Sequence, residues 1–230
     1  MALPKLVKVT KPIHIPSLNK DVLFEPYTTE DEKSIVTLEP NASAYLKSLT
    51  QLNILKKCCQ DETVDLDSLS VVEISYLFLK LRGISFSEII ELETRCKNCD
   101  TPTKISVNIN DIKIDESSLK PLKLKVDTSD GIYYIIATQY TVDDLQYIDM
   151  DNVSFDSVAL VLRQMMKSDG NDIIELSHEE KIELFSQLDL NDSKKLVDYI
   201  SSSSKLNYHI EFECGNCGEK IEGDLQDFFI

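Results

Sequence analysis

The sequence predicts an α+β fold: helices lead, and two cysteine-tipped β-hairpins far apart in the chain close onto one another. Three observations predict it. Apolar residues recur at helical spacing through much of 28–83. Strand-like stretches bracket "RCKNCD" at 95–100. The motif then returns as "ECGNCG" at 213–218, again between stretches of strand character.

The elements follow in order. The first 25 residues read as extended, with prolines at 4, 12 and 16. Thr28 and Thr29, followed by Glu30, Asp31 and Glu32, form a helix start with acids in its first turn. Pro40 ends that helix or begins the next. Ala42, Tyr45, Leu46, Leu49, Leu52, Leu55 and Cys59 then share helical spacing. Ser70-x-x-Glu73 opens a helix carrying Ile74, Leu77, Phe78 and Leu81, with Gly83 expected as its C-cap. "SEIIELET" precedes the first cysteine pair as a strand and "TKISVNI" follows it. "LKLKV" and "IYYIIA" flank "DTSDG", a hairpin over 122–137.

Three helices are expected next. Residues 154–167 carry Phe155, Val158, Ala159, Leu162 and Met166; 178–188 follow a Ser177-x-x-Glu180 box; 192–200 carry Leu196, Val197 and Ile200. "SSSSK" at 201–205 is a short loop. The last strand alternates Leu206, Tyr208, Ile210 and Phe212 into Cys214. This divides the chain into an extended N-terminal arm (1–27), a helical region (28–83), a discontinuous zinc-ribbon-like module (84–112 with 205–230), and an inserted α/β segment (113–204).

The module rests on four cysteines. A C-x-x-C at a hairpin tip turns two sulfurs the same way, and two such knuckles supply a tetrahedron of thiolates for Zn²⁺. The residue after the second cysteine often needs a positive φ, which Gly218 adopts freely and Asp100 tolerates. Cys96, Cys99, Cys214 and Cys217 are therefore the expected metal ligands. Four protein ligands leave no position for an activated water, so the Zn²⁺ is expected to be structural. The 114 residues between Cys99 and Cys214 exceed an ordinary ribbon spacing. Clamping so long a loop would remove unfolded-state entropy worth about 4–5 kcal/mol, by analogy with disulfide loops. A metal-free remnant and a disulfide within each knuckle are the blander alternatives. A thioredoxin-like redox pair would place C-x-x-C at a helix N-terminus, whereas here strands follow both pairs. The four thiolates do not by themselves distinguish zinc from iron.

Elsewhere the chemistry is sparse. Cys58 and Cys59 end an amphipathic helix and read as core or boundary residues. His14, His178 and His209 have no companions that make a catalytic arrangement, and the acids are scattered over helix faces and first turns. With six glycines in 230 residues there is little material for phosphate loops, and no dinucleotide fingerprint or nucleophile elbow occurs. No catalytic residue is assigned.

Composition narrows the partners. Forty acidic against 24 basic residues give a net charge of −16, which argues against general nucleic-acid binding because phosphate contacts need a cationic footprint. No apolar run approaches the ~18 residues of a membrane span. The N-terminus lacks the apolar core of a signal peptide, so a cytosolic, reducing setting is expected, in which paired C-x-x-C suggests metal before disulfide.

"LFEPYTTEDEK" (23–33), "LSVVEISYLFLKLRGISFSEIIELETRCKNC" (69–99) and "HIEFECGNCGEKIEGDLQDFF" (209–229) resemble the baseplate hub proteins of T4-like bacteriophages. That family carries an early F-x-P-[FY]-T stretch, a helix with a Y-L-F-L-x-L-R pattern running into a cysteine pair, and a second cysteine-bearing strand before Phe-Phe. Glu73 stands where the pattern opens on aspartate, and Ser87 where a glycine is common. The resemblance implies a non-enzymatic component of the contractile-tail baseplate hub, or an assembly chaperone for it. It implies other hub and tail proteins as partners, residence in the host cytoplasm during assembly, and a place in the virion tail if the protein is retained. It leaves open permanent subunit versus transient factor, copy number and oligomeric state. The competing expectation from the residues alone is a zinc-ribbon adaptor in transcription or nucleic-acid handling. The terminal "LQDFFI" is expected either to be tied to the body or to serve as a short docking peptide.

Overall fold

A computed structural model describes residues 8–39, 41–148, 154–170, 172–202, 206–207 and 209–224. The terminal "LQDFFI", Pro40 and most of "SSSSK" lie outside the described residues.

The first described elements form a hairpin. β1 (Lys11–Ile15) pairs antiparallel with β2 (Lys20–Phe24), so the extended arm is folded back on itself. The alternation is period two: Ile13, Ile15, Val22 and Phe24 face inward and are buried. Helix α1 (Thr29–Val36) starts at a Thr28–Asp31 capping box. Helix α2 (Ala44–Cys58) is capped by Ser43, and α3 (Val71–Ser85) by Ser70. The hairpin packs on α3, and α3 on α2, around Leu52, Leu55, Ile74, Leu77 and Leu81. Gly83 does not end α3, which runs two residues further and is closed by Phe86. The glycine lies against Ile109, and a Cβ there would sit 3.6 Å from that side chain, an ordinary van der Waals contact.

Next come β3 (Ile89–Arg95) and β4 (Pro102–Asn108), an antiparallel hairpin in register from Ile89↔Asn108 to Arg95↔Pro102. A 3₁₀ turn at Ile109–Asp111 leads to β5 (Lys113–Ile114). A second small core here contains Ile90, Ile105, Val107, Ile109 and Ile112, with Leu79 of α3 against it. Helix α3 therefore faces two cores, which is why its apolar residues occupy more than one side. The Lys80 ammonium donates to the carbonyls of Ile109 (2.7 Å) and Ile112 (3.1 Å), pinning the turn to the helix.

A four-stranded antiparallel sheet follows, in the order β6 (Leu122–Thr128), β7 (Gly131–Ala137), β8 (Leu162–Lys167), β9 (Ile173–Glu175). Between β7 and β8 lie a 3₁₀ turn at Asp143–Tyr147 and the short helix α4 (Phe155–Ala159). After β9, α5 (His178–Gln187) begins at the expected Ser177–Glu180 box, and α6 (Leu190–Ser201) is capped by Asp189. The third core joins Leu124, Ile135, Ala137 and Leu162 of the sheet to Phe185 and Leu196 of the helices.

The helix expected over 154–167 is a correction: only 155–159 are helical, and 162–167 form an interior strand. The run Val158–Leu162 suits either state locally. Pairing with both β7 and β9 decides it, because the backbone groups of an interior strand are then satisfied on both sides.

The chain closes with β10 (Leu206–Asn207), β11 (His209–Glu213) and β12 (Lys220–Asp224). The final strand expected from the alternation has different partners on the two sides of Tyr208, which lies outside the described residues. β10 pairs with β5, whereas β11 pairs with β12.

A buried polar network ties the sheet to the turn beside it. Arg163 sits where the β7–β8 register shifts. Its guanidinium donates to both Asp144 carboxylate oxygens, to the Thr138 hydroxyl (2.7 Å), and to the carbonyls of Leu160 and Gln139 (3.0 Å each). Asp144 also accepts from the Thr141 amide at 2.8 Å. Thr141 bridges to Ser70 at the start of α3, which links this network to the first core.

Candidate metal centre

The two C-x-N-C motifs form the tips of β3–β4 and β11–β12, and they are built alike. In the first, the Cys96 amide donates to Thr101 O (3.0 Å) and the Asp100 amide to Cys96 O (2.8 Å). In the second, the Cys214 amide donates to Glu219 O and the Gly218 amide to Cys214 O, both at 2.8 Å. The spacings match residue for residue. Each turn is completed by a positive φ, +55° at Asp100 and +71° at Gly218, where the sequence places residues that tolerate it.

The folded chain brings all four expected residues together. Cys96 Sγ lies 3.6 Å from Cys217 Sγ, Cys99 Sγ lies 3.7 Å from Cys214 Sγ, and all four sulfurs fall within 4.8 Å of one another. A disulfide would hold sulfurs at about 2.05 Å, so these are thiols. A tetrahedron with Zn–S bonds of about 2.3 Å has edges near 3.8 Å, and the two short separations match that length. The donor set and its spacing fit a four-coordinate zinc. Cys96 and Cys214 are buried, whereas Cys217 is exposed, so the cluster sits at the rim with its first cysteines inward.

Side chains around the sulfurs complete the arrangement. The Asn98 amide nitrogen reaches Cys217 Sγ across the junction (3.8 Å), and Asn216 reaches back to the Thr101 hydroxyl (3.1 Å). The asparagine shared by both motifs thus links each knuckle to the other. Thr101 contacts Cys99 Sγ at 3.2 Å. Sequence reasoning missed Thr101; its only sequence signal was its place five residues after the first cysteine. Arg95, also missed, donates to the Asp100 side chain at 3.1 Å and braces the first turn.

Four thiols this close resist ionising together. The Thr101 hydroxyl, then Asn216, hold Cys99 down at about 6. The amides of Asn216 and Cys217 lower Cys214. At Cys217 the Glu219 amide pulls down, but the neighbouring Cys99 thiol, desolvation and the Cys96 and Cys214 thiols outweigh it and push it up to about 12. A divalent cation at the centre would offset this mutual repulsion.

The other candidates lie apart from the cluster. Cys58 is buried at the end of α2, its thiol pushed up to about 11 by burial. Cys59 Sγ contacts the Asp61 carbonyl at 3.5 Å. His14 bonds Asp21 (2.7 Å) on the exposed side of the first hairpin, and the His178 ring stacks on Tyr147. His209 lies in β11, opposite Asp224. Among the described residues, no helix is long and apolar enough to cross a membrane.

Gly218→Ala is expected to cost about 1–2 kcal/mol, because the left-handed turn at φ +71° penalises a Cβ although the space around it is open. Gly215→Ala, with open space and no positive φ, should be near neutral. Chemical denaturation of the two variants side by side checks this.

A family model described as T4 bacteriophage base plate protein matches residues 7–230. No curated protein and no solved structure matches the chain.

Proposed function

From the premise that the chain belongs to the T4 bacteriophage base plate protein family, we propose that it is a non-enzymatic component of the tail hub, or a factor that assembles it. It acts by docking to other tail proteins, and a structural zinc held by Cys96, Cys99, Cys214 and Cys217 fixes its shape. The observation that carries this reading is the closed set of four thiols, contributed by two hairpins distant in sequence. A metal so enclosed supplies cross-linking and charge neutralisation rather than a reactive water.

Three cores support this reading, although the first also takes in Val142 and the second Leu79. The first joins the N-terminal hairpin to α1–α3, the second underlies the cysteine hairpins, and the third belongs to β6–β9 with α4–α6. We assign 84–112 with 205–230 as the metal module and 113–204 as its insertion. The acidic balance suits docking onto basic protein surfaces better than onto nucleic acid.

Two measurements test the reading. Elemental analysis of purified protein should give one zinc per chain, released by a thiol-blocking mercurial together with loss of structure in the two cysteine hairpins. Co-expression with the other hub proteins of the same phage should yield a stable complex. A metal-free yet fully folded chain sinks the zinc assignment. Strong, salt-dependent affinity for DNA or RNA, with no tail partner, sinks the hub assignment.

A further inference from the structure

The two knuckles are near copies, and the places where they differ gather around one ligand. Position by position, Cys96-Lys97-Asn98-Cys99-Asp100-Thr101 matches Cys214-Gly215-Asn216-Cys217-Gly218-Glu219. The first cysteine of each is buried and follows directly on a strand, its amide and carbonyl both bonded within the turn. The second cysteines are not equivalent. Cys99 is partly buried, with the Thr101 hydroxyl 3.2 Å from its sulfur and the Asn216 amide nitrogen 3.1 Å from that hydroxyl.

Cys217 is exposed, and the residue standing where Thr101 stands is Glu219, an exposed carboxylate with no proton to donate. The positions around it carry Gly215 and Gly218, and a Cβ at either would meet no described atom within 4 Å. Solvent therefore reaches this sulfur past two residues that have no side chain. Its own knuckle gives it the Glu219 amide. Among the described residues, an amide side chain reaches it only from the other hairpin, where the Asn98 nitrogen lies 3.8 Å from the sulfur.

We propose that Cys217 is the ligand through which the site exchanges its metal, and that Asn98 is the positioning residue that holds this ligand in place. The inference rests on the four-thiolate zinc reading and goes beyond it, because a closed site can be either permanent or exchangeable. Freeing Cys96 or Cys214 would uncover a buried sulfur and disturb the end of a strand. Freeing Cys217 moves only an exposed turn. An incoming thiol or chelator donates an electron pair to the metal as the Cys217 sulfur departs with its own pair and takes a proton from water. A hydrogen bond from Asn98 to the ligating sulfur opposes that departure.

The test follows zinc release from the purified, zinc-loaded chain into excess pyridylazoresorcinol. Iodoacetamide labelling with peptide mapping then identifies which of the four ligands reacts first. Asn98→Ala should still purify with one zinc and release it about tenfold faster. Glu219→Thr, which gives the second knuckle the hydroxyl of the first, should slow release, and in the Asn98→Ala background it should return the rate toward wild type. A merely structural loss at Asn98 would not be repaired by a hydroxyl on the other hairpin. Cys217 should be the first ligand alkylated in the wild type, and faster still in Asn98→Ala. A fully loaded Asn98→Ala chain that releases zinc at the wild-type rate overturns the proposal, as does first alkylation at Cys96, Cys99 or Cys214. Wild-type protein that purifies without zinc would instead fail the metal reading itself, and the proposal with it.

Discussion

Cys214→Ser should abolish stoichiometric zinc and release both cysteine hairpins at once. The reason is the separation of the ligands: Cys99 and Cys214 are 115 positions apart, so one metal closes a loop of half the chain. In chain-entropy terms a closure of that length is worth about 4–5 kcal/mol, and loss of the metal removes it. The damage should be local in space although global in sequence. Amides of β3–β4 and β11–β12 should lose hydrogen-exchange protection, while the core around Leu55, Leu77 and Phe24 retains it. Cys58→Ala is the matched control: it removes an equally buried thiol outside the cluster and should leave one zinc per chain. A C214S chain that retains equimolar zinc with protected hairpins would show that the four sulfurs are not the ligands.

Arg163→Ala is the second large effect, expected at about 3 kcal/mol of lost stability. Removing one partner of a buried ion pair leaves the other charged and desolvated, at a typical cost of about 3–5 kcal/mol. The lower end applies because the Arg163 side chain keeps 21% of its exposure, although Asp144 keeps only 7%. Lys181 is 3.9 Å from Asp144 and replaces little of the bidentate contact. The pH dependence has a definite sign. Burial alone would raise the Asp144 pKa, but the Arg163 hydrogen bonds and charge and the Thr141 amide outweigh it, so the folded-state pKa lies below the ordinary value. A carboxylate depressed on folding contributes stability above its unfolded pKa of about 3.9 and loses it as pH falls through the folded value. The gap between wild type and R163A, measured by urea denaturation, should hold at neutral pH and close in strong acid. A constant gap down to pH 2 would mean the arginine acts by packing alone.

What the sequence disclosed was local. Ser70, Ser177 and Thr28 announce helix starts because a capping interaction is complete within four residues. The knuckles are equally self-contained, with the positive φ at Asp100 and Gly218 predictable from residue type. Their meeting was inferred only because the motif occurs twice and zinc needs four ligands. Where distant chain decides the outcome, the sequence was silent. The 162–167 strand depends on β7 and β9, and the course of the final strand on the different partners of β10 and β11. Asn98 and Asn216 were visible as a match, but not as arms reaching across the junction, because that role exists only once the hairpins face each other.

The short pairing of β5 with β10 sets Ile114 beside Leu206. The chain thus departs for its α/β excursion and returns from it at neighbouring points, like the two ends of a purse drawn shut. Inside that purse the segment is also held to the first core through Thr141 and Val142. The two strands that bound the excursion thus act as its hem, fixing where it leaves and re-enters the cysteine-tipped part of the protein.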